Sequence, residues 1–107
     1  MWIVTNDIDF KMAEGDYGIA LPIGIKGFTL GASDFVAIVI KKAKNGDPIL
    51  TKIFSNIQNN TVNLEFTAEE SALLPVGDYV YKMDAYQEGN YLCNLVGMAS
   101  LKVVDVA

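Results

Sequence analysis

The sequence predicts an all-β domain, an antiparallel sandwich of seven to eight short strands with one short helical turn. Three observations carry this. Apolar and polar residues alternate with period two over much of the chain, turn signals built on Gly, Asn and Pro recur between those runs, and only Ala68 to Leu74 shows helical periodicity. Successive hairpins also leave out the crossover helices that parallel neighbours require.

Taken in order, Trp2 and Val4 begin a first strand, and Ile8, Phe10 and Met12 alternate with Asp9 and Lys11 in a second. Glu14-Gly15-Asp16 makes a turn. In the next strand Tyr17, Ile19, Leu21 and Ile23 share one face, and the other face consists of Gly18, Ala20, Pro22 and Gly24. A face with so little side chain suits close approach of another backbone, or an edge where Pro22 needs no donor. Phe28 and Leu30, bracketed by Gly27, Gly31 and Ala32, plug one end of the core. Phe35 to Ile40 is apolar at every position, as in a central strand covered on both faces, and such a strand could also seat an oligomer interface. Asn45-Gly46-Asp47-Pro48 marks a hairpin, after which Ile49 to Phe54 returns with Lys52 in its middle.

The polar run Ser55 to Asn60 leads into the stretch around which the rest is organised, Val62 to Tyr86. Val62, Leu64 and Phe66 alternate with polar residues and the strand ends at Thr67. Thr67-Ala68-Glu69-Glu70 has capping-box spacing, so the Thr67 hydroxyl and the Glu70 carboxylate each accept a backbone N–H of the other residue. Pro75 stops the helical turn. Gly77 is free to adopt φ > 0 and swing the chain into Tyr79 to Tyr86, whose Tyr79, Tyr81, Met83 and Ala85 share a face. A Tyr just past such a corner resembles the tyrosine corner of immunoglobulin-like sandwiches, with its phenol tied to upstream backbone. The simpler reading is a β-favouring Tyr whose hydroxyl reaches solvent. Glu88-Gly89-Asn90 makes another hairpin. Tyr91 to Val96 and Met98 to Val104 are the last two strands, with a bulge or bend at Gly97. Pairing across Gly24 to Ala32 is ambiguous, so a partly open barrel fits the same pattern.

No internal repeat, linker or low-complexity tract divides the 107 residues, which form one domain over residues 1–107. A chain of this length folds without a disulfide or metal. Thirteen acidic against eight basic residues give a net charge of −5, and every basic residue is Lys. That balance repels polyanions and lacks the bidentate guanidinium grip, so nucleic acid is not an expected partner. Lys41, Lys42 and Lys44, the one basic cluster, read as a solvated strand end. The sequence has no His, which removes the commonest general base and metal ligand. Its lone Cys93 lies in an apolar run and reads as a buried, inert thiol rather than a reactive one.

The first residues do not read as a signal peptide, and no apolar run approaches a membrane span, which places the expected site of synthesis in the cytoplasm. Asn59-Asn60-Thr61 matches a glycosylation sequon and is most simply a turn.

Candidate chemistry is sparse. Asp7 and Asp9 share a strand side, but the dense oxygen-rich loop of a Ca²⁺ site is missing, and a solvated face is the better reading. Glu69 and Glu70 are explained by capping and the helix dipole. Carboxylates from distant strands could in principle pair as in a glycosidase, a signal without specificity in an acidic chain. No catalytic, metal or cofactor residue is therefore nominated, and no enzyme is expected. Trp2, Tyr86 and Tyr91 are the candidate interface or binding residues, since exposed aromatics mark interface cores and sugar-stacking platforms; core or edge packing is their other reading. Thr67, Glu70, Pro75, Gly77 and Tyr79 are the structural positions.

Three runs of short motifs also carry a family resemblance. They are Phe10-Lys11 with Glu14-Gly15-Asp16 and Thr29-Leu30-Gly31-Ala32; Leu64 to Ser71 with Leu74-Pro75-Val76-Gly77-Asp78-Tyr79-Val80-Tyr81; and Gly89, Leu95, Gly97 and Val103-Val104. In this order they resemble the amino-terminal immunoglobulin-like domain of phage baseplate upper proteins. Ser33-Asp34 departs from that pattern by adding polar residues before the next strand. The resemblance implies a virion structural part without chemistry of its own, made in the bacterial cytoplasm and multimeric in a tail baseplate. Its expected partners are copies of itself and other baseplate proteins, with no membrane. The alternative is a small carbohydrate- or cell-surface-binding module, which calls for exposed and roughly coplanar aromatics.

Overall fold

The computed structural model describes residues 3–4, 9–15, 18, 21–25, 29–31, 33–55 and 57–105. Eight strands among them form two sheets with one short helix. In chain order these are β1 (Ile3–Val4), β2 (Phe10–Ala13), β3 (Leu21–Gly24), β4 (Phe35–Lys41), β5 (Pro48–Phe54), β6 (Thr61–Leu64), α1 (Ala68–Ser71), β7 (Gly77–Gln87) and β8 (Asn90–Val104). The larger sheet runs β1-β2-β8-β7-β4-β5, and β3 pairs with β6 in the smaller. The fold is all-β and sandwich-like, with a Cα radius of gyration of 13.5 Å.

Alternation sets the core. Val36, Ile38 and Ile40 of β4 point inward beside Tyr79, Tyr81, Met83 and Ala85 of β7, and all are buried. Val62, Leu64 and Phe66 close over them from the smaller sheet's side of the core. Phe10 of β2 stacks on Tyr81 at 5.3 Å between ring centroids. Leu30 is buried in the same cluster, as expected of a core plug, and Phe28, expected to share that role, lies outside the described residues. Pro22 lies exposed opposite Asn63 in the two-stranded sheet, where the loss of one donor is tolerated.

The helical corner follows its capping box. The Glu70 N–H donates to Thr67 Oγ1 at 3.1 Å, and the Thr67 N–H donates to Glu70 Oε1 at 2.9 Å. The turn tightens through Leu73 and Leu74 before Pro75 ends it. The tyrosine corner is present, with the Tyr79 hydroxyl donating to the Pro75 carbonyl at 2.6 Å.

Four expectations need correction. Gly77 does not use a left-handed conformation; positive-φ glycines among the described residues are Gly15, Gly18 and Gly89. A Cβ there would stand 2.5 Å from Lys42 Nζ, the far end of a long exposed side chain lying over the Tyr79 ring, so a small displacement of Lys42 would make room for it. The sheet is mixed, since β2 pairs with β8 in parallel. These strands lie near opposite ends of the chain, so the whole intervening domain acts as their connection and no crossover helix is needed. The last two expected strands are one, β8, whose register against β7 shifts in three places. Bulges keep such a strand paired while it bends. Finally, β4 is fully buried on one face only, with Phe35, Ala37 and Val39 half-buried on the other.

Candidate functional site

The half-buried face of β4 is the outer face of the larger sheet. Phe35 pairs with Tyr86 across β4 and β7, and Tyr86 pairs with Tyr91 across β7 and β8, so three aromatic side chains share one row. Phe35 and Tyr86 stack at 4.7 Å with ring planes 12° apart. Tyr91 meets Tyr86 edge-on at 5.8 Å and 78°. Ile53 of β5 stands opposite Ala37, one pair further along the same face from Phe35. Tyr91 and Ile53 are each 59% exposed, more than the other exposed large hydrophobic residues described.

The turn before β8 sets the Tyr86–Tyr91 pairing. Glu88 and Gly89 take φ of 52° and 79°, the two left-handed positions that a tight hairpin needs. Asp34 anchors that hairpin from the far side. Only 5% exposed, its carboxylate accepts from the Gly31 N–H at 2.6 Å and from the Glu88 N–H at 3.2 Å. The polar insertion Ser33-Asp34 thus ties the entry of β4 to the β7–β8 turn and helps hold Phe35 against Tyr86.

Further along the same face the surface turns polar. Asp84 is 8% exposed and accepts from Asn94 Nδ2 at 2.8 Å, with Lys82 Nζ at 3.6 Å. Asn94 also donates to the Val96 carbonyl at 3.0 Å, satisfying backbone loosened by the β8 bulges. The aromatic row is therefore bounded by a closed polar network.

Two other anchors lie elsewhere. Lys52 points inward from β5, and its ammonium donates to Glu70 Oε1 at 2.6 Å and to the Glu65 carbonyl at 2.7 Å. Burial pulls the Glu70 carboxyl upward, but the bonds from Lys52 and the Thr67 N–H, with the Lys52 charge, outweigh it and hold it below its ordinary value. Asn60, at φ 52°, accepts from the Leu30 N–H at 2.8 Å and donates to the Ile25 carbonyl at 2.6 Å. The sequon asparagine's neighbour is thus a structural clamp in a turn.

Of the residues nominated from sequence, Tyr86 and Tyr91 come together, and Trp2 lies outside the described residues. Phe35 was hidden in the unbroken apolar run of β4, where periodicity gives no reason to separate one face from the other. Asp7 lies outside the described residues. Asp9 accepts the Ser100 N–H at 3.0 Å, a strand-joining role. No group of three or more His, Cys, Asp or Glu among the described residues could hold a metal. Cys93 is half-buried and packs against the core. A cleft of about 310 Å³ runs between β5 and β6, lined by residues including Ile53, Ile57, Val62 and Glu65. No described helix is long and apolar enough to cross a membrane.

Fold and site together define a small all-β sandwich domain carrying an aromatic patch on the outer face of its larger sheet. Compared with family models, curated proteins and solved structures, the chain matches none.

Proposed function

We propose that this chain is a non-enzymatic assembly domain, a structural part of a phage or prophage tail baseplate that works by packing its outer sheet face on neighbouring chains. The row Phe35, Tyr86 and Tyr91 with Ile53 supports this reading: its rings are preordered by stacking, and Tyr91 and Ile53 present exposed apolar surface on the outer sheet face. Interface cores are enriched in such aromatics, because a ring contributes large contact area with few rotamers to freeze. The baseplate setting rests on the motif resemblance. Self-association and contact with other virion proteins follow from it, as does synthesis in the bacterial cytoplasm before incorporation in a particle.

A sugar platform draws less support. Its stacking partner would need a free ring face flanked by a coplanar ring, whereas Tyr86 already stacks on Phe35 and Tyr91 stands nearly perpendicular to it.

Sedimentation across a concentration series tests the reading. A closed oligomer, a trimer or hexamer, is expected, and Tyr91→Ala should weaken it by about tenfold or more, the scale of losing one interface-core aromatic. A monomer at every concentration, indifferent to Tyr91→Ala, would overturn self-assembly.

A further inference from the structure

The end strand of the larger sheet is β5, and among the described residues nothing pairs with its outer edge. Edges of this kind are normally blunted by Pro, outward Lys, bulges or a short strand. β5 is seven residues long, and its blunting is confined to one end: Pro48 lacks a donor at the first position and the register against β4 shifts between Ile40 and Lys41, which leaves Leu50 to Phe54 regular. Its one charge, Lys52, is turned inward and held by Glu70 at 2.6 Å, so it does not defend the edge. Thr51 and Ile53, opposite Val39 and Ala37 of the outer face, point outward and are exposed. An open cleft against β6, lined by Ile53 and by Ser55, Ile57 and Gln58 of the following loop, lies at the far end of this strand.

We propose that β5 pairs antiparallel with β5 of a second copy about a two-fold axis through Thr51, joining two larger sheets into one continuous sheet. This rests on the self-assembly reading above and names the contact.

The sequence of the strand selects the occupant and the register. Antiparallel pairing of identical strands across a perpendicular two-fold sets one residue opposite itself and keeps each face continuous. Centring on Lys52 would set two ammonium groups opposite each other, and like charges directly opposed are destabilising. Centring on Leu50 would set Pro48 against Lys52 and run Ile53 off the strand's end. Thr51, the midpoint of Pro48–Phe54, brings all seven residues alongside the other copy, pairs the regular stretch around the axis, and sets exposed Ile53 beside the bulge at Ile49 of the other copy. Charge agrees with this choice. The pairing carries the Lys-rich turn before β5, with Lys42 and Lys44, towards the end of the partner's cleft, where Glu65 is exposed. The exposed Ile53 also lies on the aromatic face, so the two contacts are continuous across the sheet.

Cross-linking and mass together test this. In a Cys93→Ser background, Thr51→Cys places one thiol at the axis. Self-paired residues lie about 4.5 to 5.5 Å apart at Cα, within reach of a disulfide. Oxidised glutathione should therefore link Thr51→Cys into a covalent dimer at least about tenfold faster than Ile53→Cys, which lies two pairs off the axis. Thr51→Lys, a change at an exposed position that leaves the circular dichroism spectrum intact, should halve the oligomer's mass, as from a hexamer to a trimer; a trimer of the unsubstituted chain, which has no two-fold axis, would overturn the edge pairing. Equal cross-linking at both positions, or an unchanged mass with Thr51→Lys, would overturn the edge pairing and leave assembly through Tyr91 standing. Monomers of the unsubstituted chain throughout would overturn both.

Discussion

At the scale of single residues, the side chains that matter most are polar and inward. Asp34 joins two loops that lie far apart in sequence, its bond to Glu88 spanning 54 positions. Its two acceptor oxygens satisfy two backbone N–H groups in a site nearly closed to water. Asp34→Asn replaces one oxygen with a donor facing a donor, leaving an N–H unsatisfied, which costs about 1–3 kcal/mol. The expected outcome is a lower urea midpoint with an unchanged slope, together with faster amide exchange at Glu88. Tyr79 and Tyr81 show the same economy of partners. Burial pushes both phenols above their ordinary value, with Glu14 adding to it at Tyr79 and Asp9 at Tyr81, so each stays protonated in the folded chain.

At the scale of elements, the one helical turn is a junction rather than a support. α1 is too short to persist by its own propensity. It is held by Thr67 at one end, by Pro75 beyond the other, and by Lys52 reaching from β5 to Glu70. Thr67→Ala should cost about 1 kcal/mol, the usual worth of an N-cap. The pH dependence follows from the lowered Glu70 carboxyl. A folded-state pKa below the unfolded value means the unfolded chain binds the proton more readily, so this contribution is present above about pH 4.5 and lost as pH falls through the folded value. Glu70→Gln should therefore lower stability at neutral pH and flatten the acid limb, as read from urea midpoints between pH 3 and 7.

At the scale of the whole molecule, charge opposes the assembly proposed through the aromatic face and the β5 edge. Each copy carries −5, and the shorter extents are 29 and 26 Å. Two such charges about 26 Å apart repel by about 4 kcal/mol in unscreened water. Screening leaves a large part of that repulsion at 10 mM salt and little at 100 mM, where the Debye length is about 10 Å. Raising salt across that range should tighten self-association by about tenfold, measured as the sedimentation midpoint concentration. Exposed Lys–Glu contacts between copies are worth about 0–1 kcal/mol, too little to reverse the sign.

The sequence by itself determined what acts over a few residues. Alternation in Val62, Leu64 and Phe66, the box from Thr67 to Glu70, the stop at Pro75 and the hairpins at Gly46 and Gly89 are short-range chemistry, and each appears where the residues place it. Tyr86 and Tyr91 could be nominated because large aromatics near a turn are conspicuous. Only the tertiary structure decided what depends on meeting across the chain. It set β2 parallel to β8, merged two expected strands into a bulged β8, and stacked Phe35 on Tyr86. It also turned Asp34, Lys52 and Asn60 from ordinary polar residues into anchors. The physical reason is that periodicity records which face of an element is dry, whereas register and the partner of a buried polar group are fixed only when distant backbone brings its unpaired N–H and C=O groups within reach.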